Sequence, residues 1–246
     1  SFPTRRSSDL AMKFSISPAV FEKLPTACFG VVAVLDAVPS PEADAAIAAR
    51  LAEAVTDCQA ALAGVALKES PEILPYREAF RALGQNPNKY PCSIEALLTR
   101  IAKGKGMPSI NTLVDLGNAV SLRHRLPIGA HDIATFRDGV LEVRPAVEGD
   151  RFLPFGGGEP ELPDPGEVVY VSGGEVRTRR WTWRQSETGK ITPETRSVLY
   201  PVDGFLDHNR EEVLAARDEL AELAKTLLGA SVTVGFIDRD HPEFSF

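Results

Sequence analysis

The run Met107 to Asp132, MPSINTLVDLGNAVSLRHRLPIGAHD, concentrates amides and carboxylates at helical spacing. Asn111, Asp115 and Asn118 fall at i, i+4 and i+7, so on a helix they share one polar face. Two amides and a carboxylate on one face can orient a neighbouring strand or bind a polar ligand. They can also cap the helix and satisfy core hydrogen bonds, with Asn111 near its start and Asn118 near its end.

A second concentration is EVRTRRWTWRQSETGKITPETRSVLYPV, residues 175–202. As a regular strand, 175–185 places Val176, Thr178, Arg180, Thr182 and Arg184 on one face. Arg177, Arg179, Trp181, Trp183 and Gln185 take the other. The tryptophans either cover an apolar layer or offer a platform for stacked bases. The four arginines within residues 177–184 are the densest positive patch in the chain. They serve either as solvated charges that protect a sheet edge or as bidentate contacts to phosphate or carboxylate.

Other sites are weaker. Gly156-Gly157-Gly158 lacks the Lys-Ser/Thr of a phosphate-binding loop and reads as a turn. Asp238, Asp240 and His241 match no metal-ligand spacing and read as a solvated tail. Cys92 precedes a helix, where a thiolate would be stabilised, but with no assigned histidine partner it reads as a structural thiol. No Gly-x-Ser-x-Gly elbow is present. Neither a cofactor nor a metal is expected.

The elements that must position these residues are α+β in texture. Lys13 to Ile16 is a short strand and Cys28 to Asp36 a buried one. Ser40-Pro41 opens a helix with Ile47, Leu51, Val55, Cys58 and Leu62 inward. Ser70-Pro71 repeats that signal for a helix reaching Gly84. Ser93–Ala102 and roughly 111–123 are further helices. Asp138-Gly139 and Gly173-Gly174 each mark a hairpin, and 197–202 is another strand. Asn209 with Glu212 caps a last helix ended by Gly229, and 231–237 is the final strand. Helices with antiparallel hairpins predict a mixed or antiparallel sheet flanked by helices.

Composition agrees with a soluble globular protein: 43% hydrophobic and 25% charged over 246 residues. No apolar run has the length of a membrane span, and no signal peptide is visible. The three cysteines form no disulfide or zinc framework, which fits a cytoplasmic setting. The formal net charge of -7 argues against a protein that coats nucleic acid, so RNA would have to meet a local basic patch. DNA and membrane are not expected partners. Residues 1–11 resemble the translation of a sequencing-adapter oligonucleotide, with a disordered tail as the alternative. Residues 12–246 are expected to form a single domain.

The order Asn111, Asp115, Asn118, Pro127, Ala130, Asp132 resembles the editing domain of the phenylalanyl-tRNA synthetase beta subunit, its B-three/B-four region. Pro108 is displaced by one residue from that pattern. SIEALLTRIAKGKGMPSIN looks like the freestanding members of the family. Thr192, Thr195 and Val198-Leu199 are similar to its Thr-rich strand entry. The resemblance spans roughly residues 70–230.

It implies the synthetase domain's α+β fold and a tRNA or aminoacyl-tRNA partner, with association with a synthetase as a further possibility. It also implies hydrolysis of a mischarged aminoacyl ester, or binding of an aminoacyl-tRNA or amino acid without turnover. The family's editing histidine falls on Gly129, with His131 two residues on. Tyr200-Pro201 stands where Leu-Glu would supply the acid that recognises the amino acid; Asp203 and Glu187 are possible substitutes. On this footing His131 and Asp132 are the catalytic candidates, His131 orienting water or the tRNA terminus. Asn111, Asn118, Arg180, Arg184, Thr192 and Thr195 are the substrate-binding candidates. The chain is too short to hold an aminoacylation domain as well.

Overall fold

The computed structural model describes residues 11–246. All of the adapter-like stretch except Ala11 lies outside the described residues. The architecture is α+β, with two sheets and six α-helices among the described residues.

The smaller sheet carries the site. Its order is β10 (Ser231–Ile237), β2 (Ala27–Leu35), β9 (Val198–Phe205), β3 (His131–Asp132), all antiparallel neighbours. β2 reads ACFGVVAVL because both its faces are covered. Phe29, Val31 and Ala33 enter one core cluster, and Cys28, Val32 and Val34 enter another. Period-two alternation thus feeds two cores from one strand. Full burial of a valine or phenylalanine side chain in this set is worth about 1.5–3 kcal/mol.

The second sheet runs β11 (Glu243–Ser245), β1 (Lys13–Ile16), β4 (Val140–Pro145), β6 (Val168–Ser172), β7 (Glu175–Arg179), β5 (Arg151–Phe152), with β8 (Arg184–Gln185) beside β7. Phe14, Leu141 and Tyr170 from this sheet share a cluster with Phe29, Leu199 and Phe205 from the first. On the far side of the small sheet lie α2 (Pro41–Ala61), α5 (Thr112–His124) and α6 (Arg210–Leu228). α6 sits close because a Cβ at Gly204 would come 2.3 Å from Val213 Cγ2. α1 (Pro18–Lys23), α3 (Leu74–Ala82) and α4 (Ser93–Ala102) complete the helices. No helix among the described residues is long and apolar enough to cross a membrane.

Several elements depart from the sequence expectation. Asp138-Gly139 closes no hairpin: residues 137–139 form a 3₁₀ turn leading into β4, which pairs with β1 and β6. A parallel β1 partner took the place that the local turn signal assigned to the preceding segment. The helix expected from Ser70-Pro71 begins only at Leu74, after a turn. Asn209 does not cap α6 through its side chain. Its Oδ1 accepts from the Phe205 amide at 2.8 Å and its Nδ2 donates to the Tyr76 hydroxyl at 3.0 Å. The C-terminal tail forms β11, an edge strand on β1.

Residues 175–185 are not one strand. The chain turns at Arg180 and Trp181, which take φ of 45° and 59°. Left-handed backbone at two bulky residues costs on the order of 1–3 kcal/mol each and persists only where tertiary contacts fix it. Those contacts are present. The Trp181 amide donates to Val168 O at 2.7 Å, and its indole donates to Asp203 Oδ1 at 3.1 Å. The Arg180 guanidinium lies 3.8 Å from the Tyr90 ring centroid and 4.7 Å from that of Trp183.

Candidate functional site

The site is built where α5, the segment 128–132 and the loop after β8 converge. Asn111 caps α5, its Oδ1 accepting from Val114 N at 3.0 Å. Its Nδ2 donates to Ile191 O at 3.3 Å, which ties the helix start to the loop after β8. Asp115, one turn on, is buried. It accepts from Ser109 Oγ at 2.5 Å and Ile110 N at 2.9 Å and so fixes the loop that enters the helix. Asn118 is half-buried and makes no side-chain hydrogen bond among the described residues.

The loop after β8 is held at several points. Gln185 Nε2 donates to Ala130 O at 2.5 Å, and Asp132 N donates to Gly189 O at 3.1 Å. Thr195 Oγ1 donates to Asp132 Oδ2 at 2.9 Å and accepts from Thr192 N at 3.0 Å. Gly189, at φ 78°, lies against Arg177, whose Nη1 would sit 1.9 Å from a Cβ there. Only glycine closes the loop over that guanidinium.

Between these elements lies an open cavity of about 760 Å³, a size suited to a small ligand. Asn111, Asn118 and Thr192 line it, with Gln185, Glu187, Lys190 and Glu194 as further polar groups. Val114, Ile128, Ala130 and Ile191 form apolar wall, and Phe155 stands half-exposed at the edge. Lys190 pairs with Glu187, and this pairing draws the Glu187 carboxyl below its ordinary range. Glu187 Oε2 also accepts from Gly156 N at 3.3 Å, which steadies the Phe155 loop.

Behind it is a recess of about 80 Å³. Ile128 and Gln185 line both spaces. Gly129 and His131, two apart on the segment beside β9, both line the recess, whereas Ala130 lines the open cavity. The alternation of an extended chain separates them. His131 Nε2 lies 3.1 Å from where a Cβ at residue 129 would stand, so the imidazole crowds the space above Gly129.

The recess is polar at its base. Tyr170 and the Trp181 indole both donate to Asp203 Oδ1. Burial pushes the Asp203 carboxyl up to about 7. Burial, helped by the nearby Arg177 charge, lowers the His131 imidazole to about 3 and keeps it neutral. His131 Nδ1 and Thr182 Oγ1 are buried without a partner among the described residues. A water entering the recess would satisfy both.

The sequence-selected residues therefore divide. Asn111, Asn118 and Thr192 meet at the open cavity, and His131 and Arg184 at the recess. Asp132 and Thr195 lie in the frame, bonded to each other. Arg180 points inward, 5% exposed, and is bound to Asp164 and Gln85. Arg177 and Arg179 are buried as well, paired with Glu175 and with Glu161 and Glu167. Of this cluster only Arg184 keeps substantial exposure, 3.6 Å from Glu161. Of the two acids named as substitutes, Glu187 lines the cavity and Asp203 lines the recess. Sequence reasoning missed Phe155 and Lys190. An aromatic residue before three glycines was the available signal for the first; nothing local marked the second.

Among known proteins, the model of the B3/4 domain matches residues 75–228. The phenylalanine–tRNA ligase beta subunit of Geobacter metallireducens is 28% identical over 173 residues, covering 60% of this chain and 21% of that protein. The corresponding subunit of Lactobacillus johnsonii is 38% identical over 68 residues, covering 28% of this chain and 8% of that protein. The chain thus spans about a fifth or less of the length of these two relatives. A crystal structure of an N-terminal fragment of the phenylalanyl-tRNA synthetase beta-subunit from Pyrococcus horikoshii aligns with a TM-score of 0.47 at 12% identity, covering 94% of this chain and 52% of that one.

Proposed function

The chain belongs to the B3/4 domain family, and from that premise we propose that it is an aminoacyl-tRNA deacylase which hydrolyses a mischarged aminoacyl ester. Residues 12–246 form one unit in this reading. The observation that carries it is the convergence of Asn111, Asn118 and Thr192 on an open cavity large enough for an aminoacylated terminal nucleoside. The relatives it matches are tRNA ligase subunits.

The ester is already reactive, so positioning a water and stabilising the oxyanion are the main tasks. The aminoacyl end enters the cavity, with the terminal base against Phe155. The free Asn118 amide donates to the carbonyl oxygen as charge develops there. Water adds to the carbonyl carbon and the bond to the ribose oxygen breaks. The water's proton ends on that ribose oxygen, leaving a free amino acid and an uncharged tRNA. His131 stays neutral and orients water in the recess; its low basicity suits an orienting role better than that of a strong base. Thr195 and Asp132 hold the cavity wall.

The test is deacylation of a panel of mischarged tRNAs by the folded protein, with Asn118→Ala as the control. Turnover on at least one substrate, lost in the variant, supports the reading. A folded protein inert on every substrate removes it. A second reading, binding of aminoacyl-tRNA without turnover, is favoured by one observation: neither His131 nor Asp132 lines the open cavity. Tight binding of a non-hydrolysable aminoacyl-tRNA analogue by a protein without turnover would select it.

A further inference from the structure

The positive charge expected on β7 and β8 is largely consumed inside the protein, but another cluster is free. Lys68, Arg100, Lys103 and Lys105 surround a groove of about 390 Å³ on the outer side of α4. All four are exposed, and among the described residues none forms an ion pair. Lys68 meets only Asn88 Oδ1 at 3.4 Å, and Arg100 Nε donates to Gly106 O at 2.9 Å. The groove's one carboxylate, Glu95, is 2% exposed and bonded to the buried Arg77 at 2.7 Å, so this pair adds no net charge. Four uncompensated cations in a chain of net charge -7 form a local field opposite to that of the whole.

The loop that follows α4 connects this groove to the cavity. In Lys103-Gly104-Lys105-Gly106 both glycines take left-handed backbone, at φ 72° and 59°. The loop is clamped at both ends, by Arg100 on Gly106 O and by Asp115 on Ser109 and Ile110. Six residues after Lys105 the chain reaches Asn111 at the cavity, a separation of at most about 20 Å. The lysines are thus presented on a fixed strap that leads to the cavity.

We infer that this groove and strap carry the phosphate backbone of the RNA whose end enters the cavity. The inference rests on the functional reading above for the identity of the RNA. Lysine and arginine contacts to phosphate position a nucleic acid without reading its sequence, which is what a tether beside a recognition cavity requires. The strap's continuity with that cavity favours RNA over an acidic peptide.

Binding of uncharged tRNA to the full chain, measured by fluorescence anisotropy across a salt series, tests the inference separately from catalysis. Lys103→Ala/Lys105→Ala should weaken binding about tenfold or more at low salt. It should also flatten the slope of log affinity against log salt by about two. Lys23→Ala/Lys225→Ala, the same charge change on other exposed surface, should leave the slope unchanged. Equal slopes for wild type and the Lys103/Lys105 variant overturn the groove, even if mischarged tRNA is still deacylated. A salt-dependent complex lost in that variant, without deacylation, upholds the groove and removes only the deacylase reading. A protein that binds polyglutamate and not tRNA overturns the inference.

Discussion

His131 lies ring to ring on Tyr170, with centroids 5.3 Å apart and planes 16° from parallel, and Tyr170 gives its hydroxyl to Asp203. The stack joins two groups whose titrations oppose each other. Asp203 is raised to about 7, so its contribution is fully present below the unfolded pKa near 4 and is lost as pH rises to 7. His131 is lowered to about 3, so its contribution is present above the unfolded pKa near 6.5 and is lost as pH falls toward 3. Between pH 4 and 6.5 the two slopes cancel. His131→Phe keeps the stack and exposes the Asp203 slope, so stability falls with rising pH relative to wild type. Asp203→Asn exposes the opposite slope. Urea unfolding over this range should separate the variants by about 2.7 kcal/mol per pH unit, two protons' worth. Parallel curves would mean that the pair is not coupled to folding in this way.

Asn118 presents a half-buried amide to the open cavity with no protein bond to lose. Its replacement by Ala should leave the melting temperature within about a degree or two, as at sites away from packed or bonded groups. Removing one donor to a developing oxyanion typically costs about 100-fold in kcat. Asn118→Ala should therefore lower kcat on a mischarged tRNA by about that factor with little change in KM. A loss confined to KM would make Asn118 a binding group instead.

Much of the fold was legible because it follows from local pattern. The Ser40 cap, the 93–102 helix, the Asn111 cap and the 231–237 strand each carry their own start, stop or periodicity. What was not legible depends on partners distant in sequence. Trp181 turns the chain because Asp203 and Val168 hold it there, and alternation along 175–185 says nothing of either. Asp138-Gly139 has the composition of a hairpin turn, but β4 finds its partner in β1, about 125 residues earlier. At the site, helical spacing brought Asn111 and Asn118 to one cavity, whereas extended alternation divided Ala130 from His131.

The arginines of β7 test the same limit. Arg179 is 7% exposed and donates to Glu167 at 2.8 and 3.1 Å and to Glu161 at 2.9 Å. These hydrogen bonds hold its guanidinium above the ordinary range against the pull of desolvation. Removing one partner of a buried pair leaves an uncompensated charge and costs about 3–5 kcal/mol. Arg179→Met should destabilise by that amount in chemical unfolding, with native-like tRNA affinity under conditions where it remains folded. A stable variant with weakened tRNA binding would return Arg179 to the phosphate-contact role.

Thr195 and Asp132 provide the sharpest test of the loop frame. The Thr195 hydroxyl is 5% exposed as part of its residue, donates to Asp132 and receives the Thr192 amide. Thr195→Val keeps the shape and removes both bonds, leaving a carboxylate oxygen and an N–H short of a partner. The cost should be about 1–3 kcal/mol in unfolding free energy. Because Thr192, Pro193 and Glu194 line the cavity, the loosened loop should raise KM for a mischarged tRNA several-fold. The groove on α4 shares no residue with that loop, so affinity for uncharged tRNA should not move. Thr195→Ser retains the hydroxyl and should restore both stability and KM. A valine variant as stable as wild type, with KM unchanged, would show that the threonine methyl, and not the bond to Asp132, holds the wall.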